Sequence, residues 1–306
     1  EREEDKMLNL SSWKVQFIAA SASALVLFEG NALAQAPELE PIAVVEAVLD
    51  STTTLNNTKS VNLESIKLVK SRIEEVLRSS RRFKVYERDT SVLQKSALLE
   101  QDFAASQRAL KDAAEFGKMN NVHFIVVPMV ASVKLESVLE RDAQTSKFNS
   151  SVTGEIILTL KIIDTTSGGI KYQKTDTYSS VNKKQVSTMG PPEYNDIWLN
   201  VLQRTGSEAG TAVFDAIFPI EVIQINGGEA ILNRGEGGGL NMNTTLSLFS
   251  LGEALVDPKT GINLGKIERK IGECKLVSIS ERISIADLIL NPSRTAKVGD
   301  LCRRGN

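Results

Sequence analysis

The sequence predicts an α/β chain: an α+β mixed sheet with packed helices, followed by a small all-β barrel-like domain. Three observations predict it. Between positions 41 and 218, short runs dense in Ile and Val alternate with stretches whose apolar residues recur at helical spacing. Beyond Ile220 the helical periodicity fades, glycines cluster, and strand-like stretches follow one another across turn residues. The length, 306 residues with 42% hydrophobic and 24% charged side chains, suits two folded domains and excludes a disordered chain.

Taken in order, the elements begin with an export address. Val15 to Phe28 (VQFIAASASALVLF) is an apolar run that follows Met7 and Lys14 and precedes Ala32-Leu33-Ala34, the small-x-small pattern cut by signal peptidase. Residues 1–34 read as a signal peptide with an N-terminal extension, cleaved between Ala34 and Gln35. The run falls short of the roughly 20 apolar residues of a membrane-spanning helix, and no later stretch reaches that length, so the mature chain is expected to have no membrane span. An uncleaved anchor or a buried helix is the alternative.

Residues 38–222 form the expected αβ domain. Pro41 to Leu49 (PIAVVEAVL) reads as a buried strand and Asp50 to Ser60 as a polar loop. Asn62 can cap a helix whose face carries Ile66, Val69, Ile73, Val76 and Leu77, and whose end is cationic from Arg78 to Arg82. Phe83 to Tyr86 is a strand. Helical stretches follow at Ser91–Phe103 and Ser106–Phe116, with Gly117 as a stop. Val122 to Val127 is a dense apolar strand that Met129 to Leu135 extends, and the polar stretch Glu136 to Ser150 separates it from a strand over Ile156 to Ile163. Asp164 to Gly169 is hairpin-turn chemistry, Ile170 to Ser180 the returning strand. Asn195 to Phe218 is a long helix with Trp198, Val201, Leu202, Val213 and Ile217 inward, ended by Pro219.

Residues 223–306 form the expected small β domain. Gly227, Gly228, Gly235, Gly237, Gly238 and Gly239 open it, strand-like stretches run over Thr245–Leu251, Leu264–Glu268, Glu273–Ser280 and Ile283–Ile289, and Asp257-Pro258-Lys259-Thr260-Gly261 is a hairpin turn. Export implies an oxidising compartment, in which Cys274 and Cys302 form a structural disulfide; two buried free thiols are the alternative.

Composition narrows the chemistry. One histidine, His123, and two cysteines leave no histidine-based metal site and no patterned nucleophile–base set, so no catalytic residue, metal ligand or cofactor is assigned and the protein is read as a non-enzyme. His123, inside VHFIVV, reads as a satisfied strand residue. Gly235-Glu236-Gly237-Gly238-Gly239 lacks the Lys-Ser/Thr ending of a phosphate loop and reads as a flexible barrel loop. No serine sits in a Gly-x-Ser-x-Gly elbow. The formal charge is -2; without residues 1–34, with their three basic and five acidic side chains, it is zero. A neutral body offers no general attraction for nucleic acid. Arg78, Arg81, Arg82 and Arg88 cluster locally. They read as a helix end and solvated loop, with Arg81, Arg82 and Arg88 as the candidate interface to an acidic neighbouring subunit.

Arg82-Phe83-Lys84-Val85-Tyr86-Glu87-Arg88 resembles the RF-x-V-x-ER strand ending of CsgG-like curli production assembly and transport proteins. The order that follows is similar to theirs over roughly residues 40–220: a Leu- and Gln-rich helix at Leu93 to Gln101, a helix, glycine and strand over Ala114 to Val127, and the Asp-x-x-x-Gly ending at Asp164 to Gly168. The family shares its αβ core with the N-terminal domain of TolB, with lipoprotein activators of peptidoglycan synthases and with the middle domain of flagellar assembly protein T. The C-terminal pattern, a Gly-rich loop, a DP-x-TG turn and Lys297-Val298-Gly299-Asp300-Leu301, resembles the last domain of flagellar assembly protein T. The resemblance implies a periplasmic, outer-membrane-associated assembly or secretion scaffold, oligomeric with itself and binding envelope proteins. The alternative it implies is a regulatory module that activates or tethers a cell-wall or flagellar envelope machine. Two departures stand out. Glu136 to Thr153 and Val181 to Glu193 are too polar for transmembrane hairpins, and no lipid-anchor cysteine lies near the cleavage site.

Overall fold

The computed structural model describes residues 39–58, 61–86, 122–188, 190 and 192–305, all within one unit, Leu39–Asn306. The signal segment with Ala34 and Gln35, the two helical stretches expected between Ser91 and Phe116, and Arg88 lie outside the described residues.

Period-2 alternation decides the first layer. In β1 (Glu40–Val44) the side chains of Ile42 and Val44 go to one face and Ala43 to the other, and all are buried. β1 pairs in parallel with β3 (Phe83–Tyr86) on one side and with the start of β4 (Phe124–Arg141) on the other. Ala43, Val45, Ile125, Val127 and Ile163 make a second cluster on the face opposite the main core. Two-sided burial explains why these segments read as unbroken apolar runs. β5 (Phe148–Asp164) and β6 (Ile170–Val186) continue the sheet antiparallel, giving the order β3-β1-β4-β5-β6. β5 alternates instead: Ile156, Leu158, Leu160 and Ile162 are buried while Glu155, Ile157, Thr159 and Lys161 are half-exposed, the mark of a strand covered on one face.

The expected strand over Pro41 to Leu49 is two strands. β2 (Val48–Asn56) follows β1 end to end along β4 and takes in most of the expected polar loop. Backbone pairing with β4 is reinforced by polar side chains: Thr53 Oγ1 donates to Val130 O at 2.8 Å, and Asn57 Nδ2, one residue on, donates to Leu135 O at 2.9 Å. Polarity here serves the neighbouring strand, not a loop.

Two helices cover the main face. Asn62 Oδ1 accepts from Glu64 N at 2.9 Å, capping a 3-10 turn that runs into α1 (Lys67–Ser79). α1 buries Val69, Ile73 and Leu77, and α2 (Asn195–Ile217) buries Trp198, Val201, Leu202, Val213 and Phe214. Their crossing rests on Gly206 and Gly210, four apart on one face of α2. A Cβ on Gly206 would stand 2.5 Å from Arg72 Cβ, and one on Gly210 2.9 Å from Val76 Cβ. The backbones meet because no side chain intervenes.

The remaining strands close a six-stranded antiparallel barrel in the order β10-β11-β8-β7-β12-β9. They are β7 (Ile220–Asn226), β8 (Glu229–Leu232), β9 (Thr245–Val256), β10 (Asn263–Ile279), β11 (Ser284–Leu290) and β12 (Leu301–Arg304). The two stretches expected at Leu264–Glu268 and Glu273–Ser280 are one strand. Register shifts between Lys266 and Glu268 and between Lys270 and Gly272 break its alternation, which hid its continuity. β7 and β8, unassigned from the sequence, are short and carry Gln224 and Glu229 among their apolar residues. The barrel core holds Ile220, Val222, Leu232, Leu246, Leu248, Ile271, Leu276 and both cysteines.

Candidate functional site

The face of α2 turned away from α1 carries Arg204, Ser207, Glu208, Thr211 and Asp215. With β6 and β12 it walls an open groove of about 940 Å3, to which Tyr172, Lys174, Asp176 and Arg303 also contribute. Its cations face carboxylates. Lys174 Nζ lies 2.9 Å from Asp176, Arg204 Nε 2.6 Å from Glu208, and Arg303 Nε 2.7 Å from Glu268. Arg204 Nη1 also donates to Ser179 O at 2.6 Å, capping a carbonyl on the outer edge of β6. Burial raises the Tyr172 and Tyr178 phenols above their ordinary value, so both stay protonated at neutral pH. Neutral phenols and mutually paired charges suit recognition.

Below the groove, the last turn of α2 meets the barrel. Asp215 Oδ1 accepts from Arg234 Nη1 at 2.7 Å and Oδ2 from Arg304 Nε at 2.8 Å. Arg234 is only 2% exposed; its guanidinium lies 3.4 Å over the Phe214 ring and donates to Phe218 O. Burial pulls its pKa down to about 10 against the pull of Asp215, so it remains charged at neutral pH. Arg304 donates to Gly239 O and Gly238 O at 2.8 and 2.9 Å. The glycine run is therefore a wedge and not the flexible loop the sequence suggests. A Cβ at Gly235 would collide with Ser280 O, and one at Gly237 would lie 3.1 Å from Ser79 O at the end of α1. Sheet, helices and barrel are held as one piece by this contact.

Each sheet also projects a ribbon beyond its core. Past Gly154, which lies under α2, strands β4, β5 and β6 run on in register to Arg141, Phe148 and Val186. The polar stretch Glu136 to Ser150, expected to separate two strands, is this hairpin. Tyr194 Oη donates to Ser137 Oγ at 3.3 Å and Lys184 pairs with Glu193 at 3.2 Å, where the chain turns back into α2. Along this ribbon Val138, Leu139 and Val181 are 53%, 40% and 52% exposed. Residues opposite one another share a face. One face carries Leu139, Ser150 and Lys184, and the other Val138, Ser151 and Lys183, so neither is a continuous apolar band. The second ribbon is the distal part of β9 and β10, where Leu255, Val256, Ile262, Leu264 and Ile267 are exposed.

Of the residues singled out from the sequence, Arg81 and Arg82 are exposed, and each makes a contact within the chain. Arg81 pairs with Glu281 at 2.8 Å and the Arg82 guanidinium stands 5.6 Å from the Phe218 centroid. His123, just before β4, is half-exposed and bonds Glu40 Oε1 at 2.8 Å. Cys274 and Cys302 are buried together with their sulfurs 3.5 Å apart, unbonded. Sequence reasoning missed Asp215, Arg234 and Arg304. The available signal was Asp215 itself: an acid in the last turn of a helix opposes the macrodipole and calls for cations from elsewhere.

Among the described residues, no group of three or more His, Cys, Asp or Glu side chains is placed to hold a metal ion, and no helix is long and apolar enough to cross a membrane. No family model and no curated protein matches the chain. Solved structures similar to it include the hypothetical protein CT253 from Chlamydia trachomatis, at 13% identity and a TM-score of 0.38 over 59% of this chain and 99% of that one. The PelC dodecamer from Paraburkholderia phytofirmans is similar at 12% identity and 0.28, over 58% and 87%. The LpoB C-terminal domain from Salmonella enterica is similar at 10% and 0.24, over 45% and 82%. Likenesses this low carry no argument about function.

Proposed function

We propose that this protein is a non-enzymatic scaffold of the CsgG-like kind, exported to the cell envelope, which associates with copies of itself and with envelope proteins through projecting β-ribbons. The observation that carries the reading is that both sheets outrun their cores. The β4–β5–β6 ribbon and the β9–β10 ribbon set exposed Val, Leu and Ile among charged residues, on a body whose two halves are clamped through Asp215. A ribbon on a rigid body keeps its exposed side chains in place before a partner arrives, which lowers the entropic cost of association. The groove adds support, because its charges are paired and its tyrosines neutral.

The test compares the chain lacking residues 1–34 with a variant whose Val138–Ser151 hairpin is replaced by a two-residue turn. Native mass spectrometry should find a closed oligomer for the first and a smaller species for the second. A monomer in both, with no envelope protein retained by either, would overturn the reading.

A further inference from the structure

The two thiols occupy a particular place in the barrel. Cys274 on β10 lies opposite Leu246, and Cys302 on β12 lies opposite Leu248; both partners are on β9, the strand between. The sulfurs therefore reach each other across the barrel interior at 3.5 Å, with residue exposures of 1% and 3%. β12 closes the barrel with four residues and meets β7 through Leu301 opposite Glu221 and Cys302 opposite Ile220, beside backbone bonds of Val222 with Gly299 and Asp300. The next residues on that strand, Arg303 and Arg304, carry the bonds to Glu268 and Asp215. A bond at Cys302 would fix the short strand on which the contact with α2 depends.

We propose that Cys274 and Cys302 form an oxidisable staple that locks β12 into the barrel and, through Arg304 and Asp215, sets how firmly the barrel holds α2. The oxidant is a small-molecule or protein disulfide. When β12 lifts and exposes a sulfur, the thiolate of one cysteine attacks that disulfide, forming a mixed disulfide and expelling a thiolate. The second cysteine, as its thiolate, attacks the mixed disulfide, the Cys274–Cys302 bond forms and the other thiolate leaves. The protons lost by the two cysteines end on the two leaving sulfurs, and the oxidant gains the two electrons the pair gives up. Burial makes the opening of β12 the gate in both directions. This inference stands on the barrel and its contact with α2 and does not depend on the binding reading.

The experiment equilibrates the chain with excess oxidised glutathione or with dithiothreitol, then measures intact mass, alkylation in denaturant and amide hydrogen exchange. The oxidised sample should be about 2 Da lighter with neither cysteine alkylated. Amides of Leu301–Arg304 and of the last turn of α2 should exchange about tenfold more slowly than in the reduced sample, and Tm should rise by roughly 5–10 °C. In a Cys274→Ala/Cys302→Ala variant the two conditions should coincide; if that variant does not fold, the wild-type comparison alone decides. Two alkylatable cysteines after oxidation would overturn the proposal, as would a formed bond that leaves exchange at Leu301–Arg304 and in α2 unchanged.

Discussion

Arg304 Nε donates to Asp215 Oδ2 at 2.8 Å across 89 positions of sequence, joining the strand that closes the barrel to the last turn of α2. The other oxygen of the same carboxylate holds Arg234, which is buried. One acid thus pairs with two cations that arrive from different parts of the barrel.

Removing that acid leaves Arg234 buried without a counter-charge. Asp215→Ala should lower unfolding free energy by about 3–5 kcal/mol in urea titrations, because breaking a buried pair from one side strands the other charge. Asp215→Ala/Arg234→Met should recover part of the loss, since the stranded charge is gone. Equal loss in single and double variants would show that the packing of Arg234 on Phe214, and not its charge, is what matters.

Gly206 tests two opposed effects. Helix propensity alone favours Gly206→Ala by about 1 kcal/mol. The added Cβ, however, would stand 2.5 Å from Arg72 Cβ and 2.8 Å from Val69 O. Overpacking of this kind typically costs about 1–3 kcal/mol, so destabilisation is expected. Thermal unfolding read by circular dichroism gives the sign directly.

Three hairpin turns use one device. Asp142 Oδ1 accepts from the amides of Gln144 and Thr145, Asp164 Oδ1 from Thr166 and Ser167, and Asp257 Oδ1 from Lys259 and Thr260. These amide bonds hold all three carboxyls below their ordinary value of 3.8. A lowered folded pKa means that the stabilisation is complete above 3.8 and is lost as pH falls through the folded values. A variant with all three changed to Asn should therefore lose less Tm than wild type between pH 4 and pH 2, in melts followed across that range. Parallel curves would contradict the assignment.

Val138 and Leu139 lie outside both cores. Val138→Ser/Leu139→Ser should shift stability by about 0.5 kcal/mol or less. The same change should weaken self-association in sedimentation measurements at least several-fold. A large loss of stability with association intact would place these residues in the fold instead of the interface.

Much of the fold was legible because local patterns and tertiary burial agreed. Asn62 caps where its amide predicts, the face of Val69, Ile73 and Leu77 packs inward, and Asp164 turns the β5–β6 hairpin. Legibility failed where a partner strand overrode local polarity. The threonines and Asn56 of β2 and the serines of the β4–β5 ribbon read as loop, yet backbone pairing along β4 makes both regions strand. Likewise the bulges of β10 erase the alternation by which one strand is recognised as one.

The sequence by itself determined the fold class, a mixed αβ region followed by a small β barrel, the break at Pro219 between a helical region and a glycine-rich β region, and the scarcity of reactive side chains. Tertiary structure alone decided that Asp215 meets Arg234 and Arg304, that Gly206 marks a helix crossing, and that two cysteines 28 residues apart lie with their sulfurs side by side. The physical reason is range. Propensity, capping and turn chemistry act over a few residues and are written in the local order, whereas charge pairing and close packing depend on which segments the closed barrel and the helix crossing bring together.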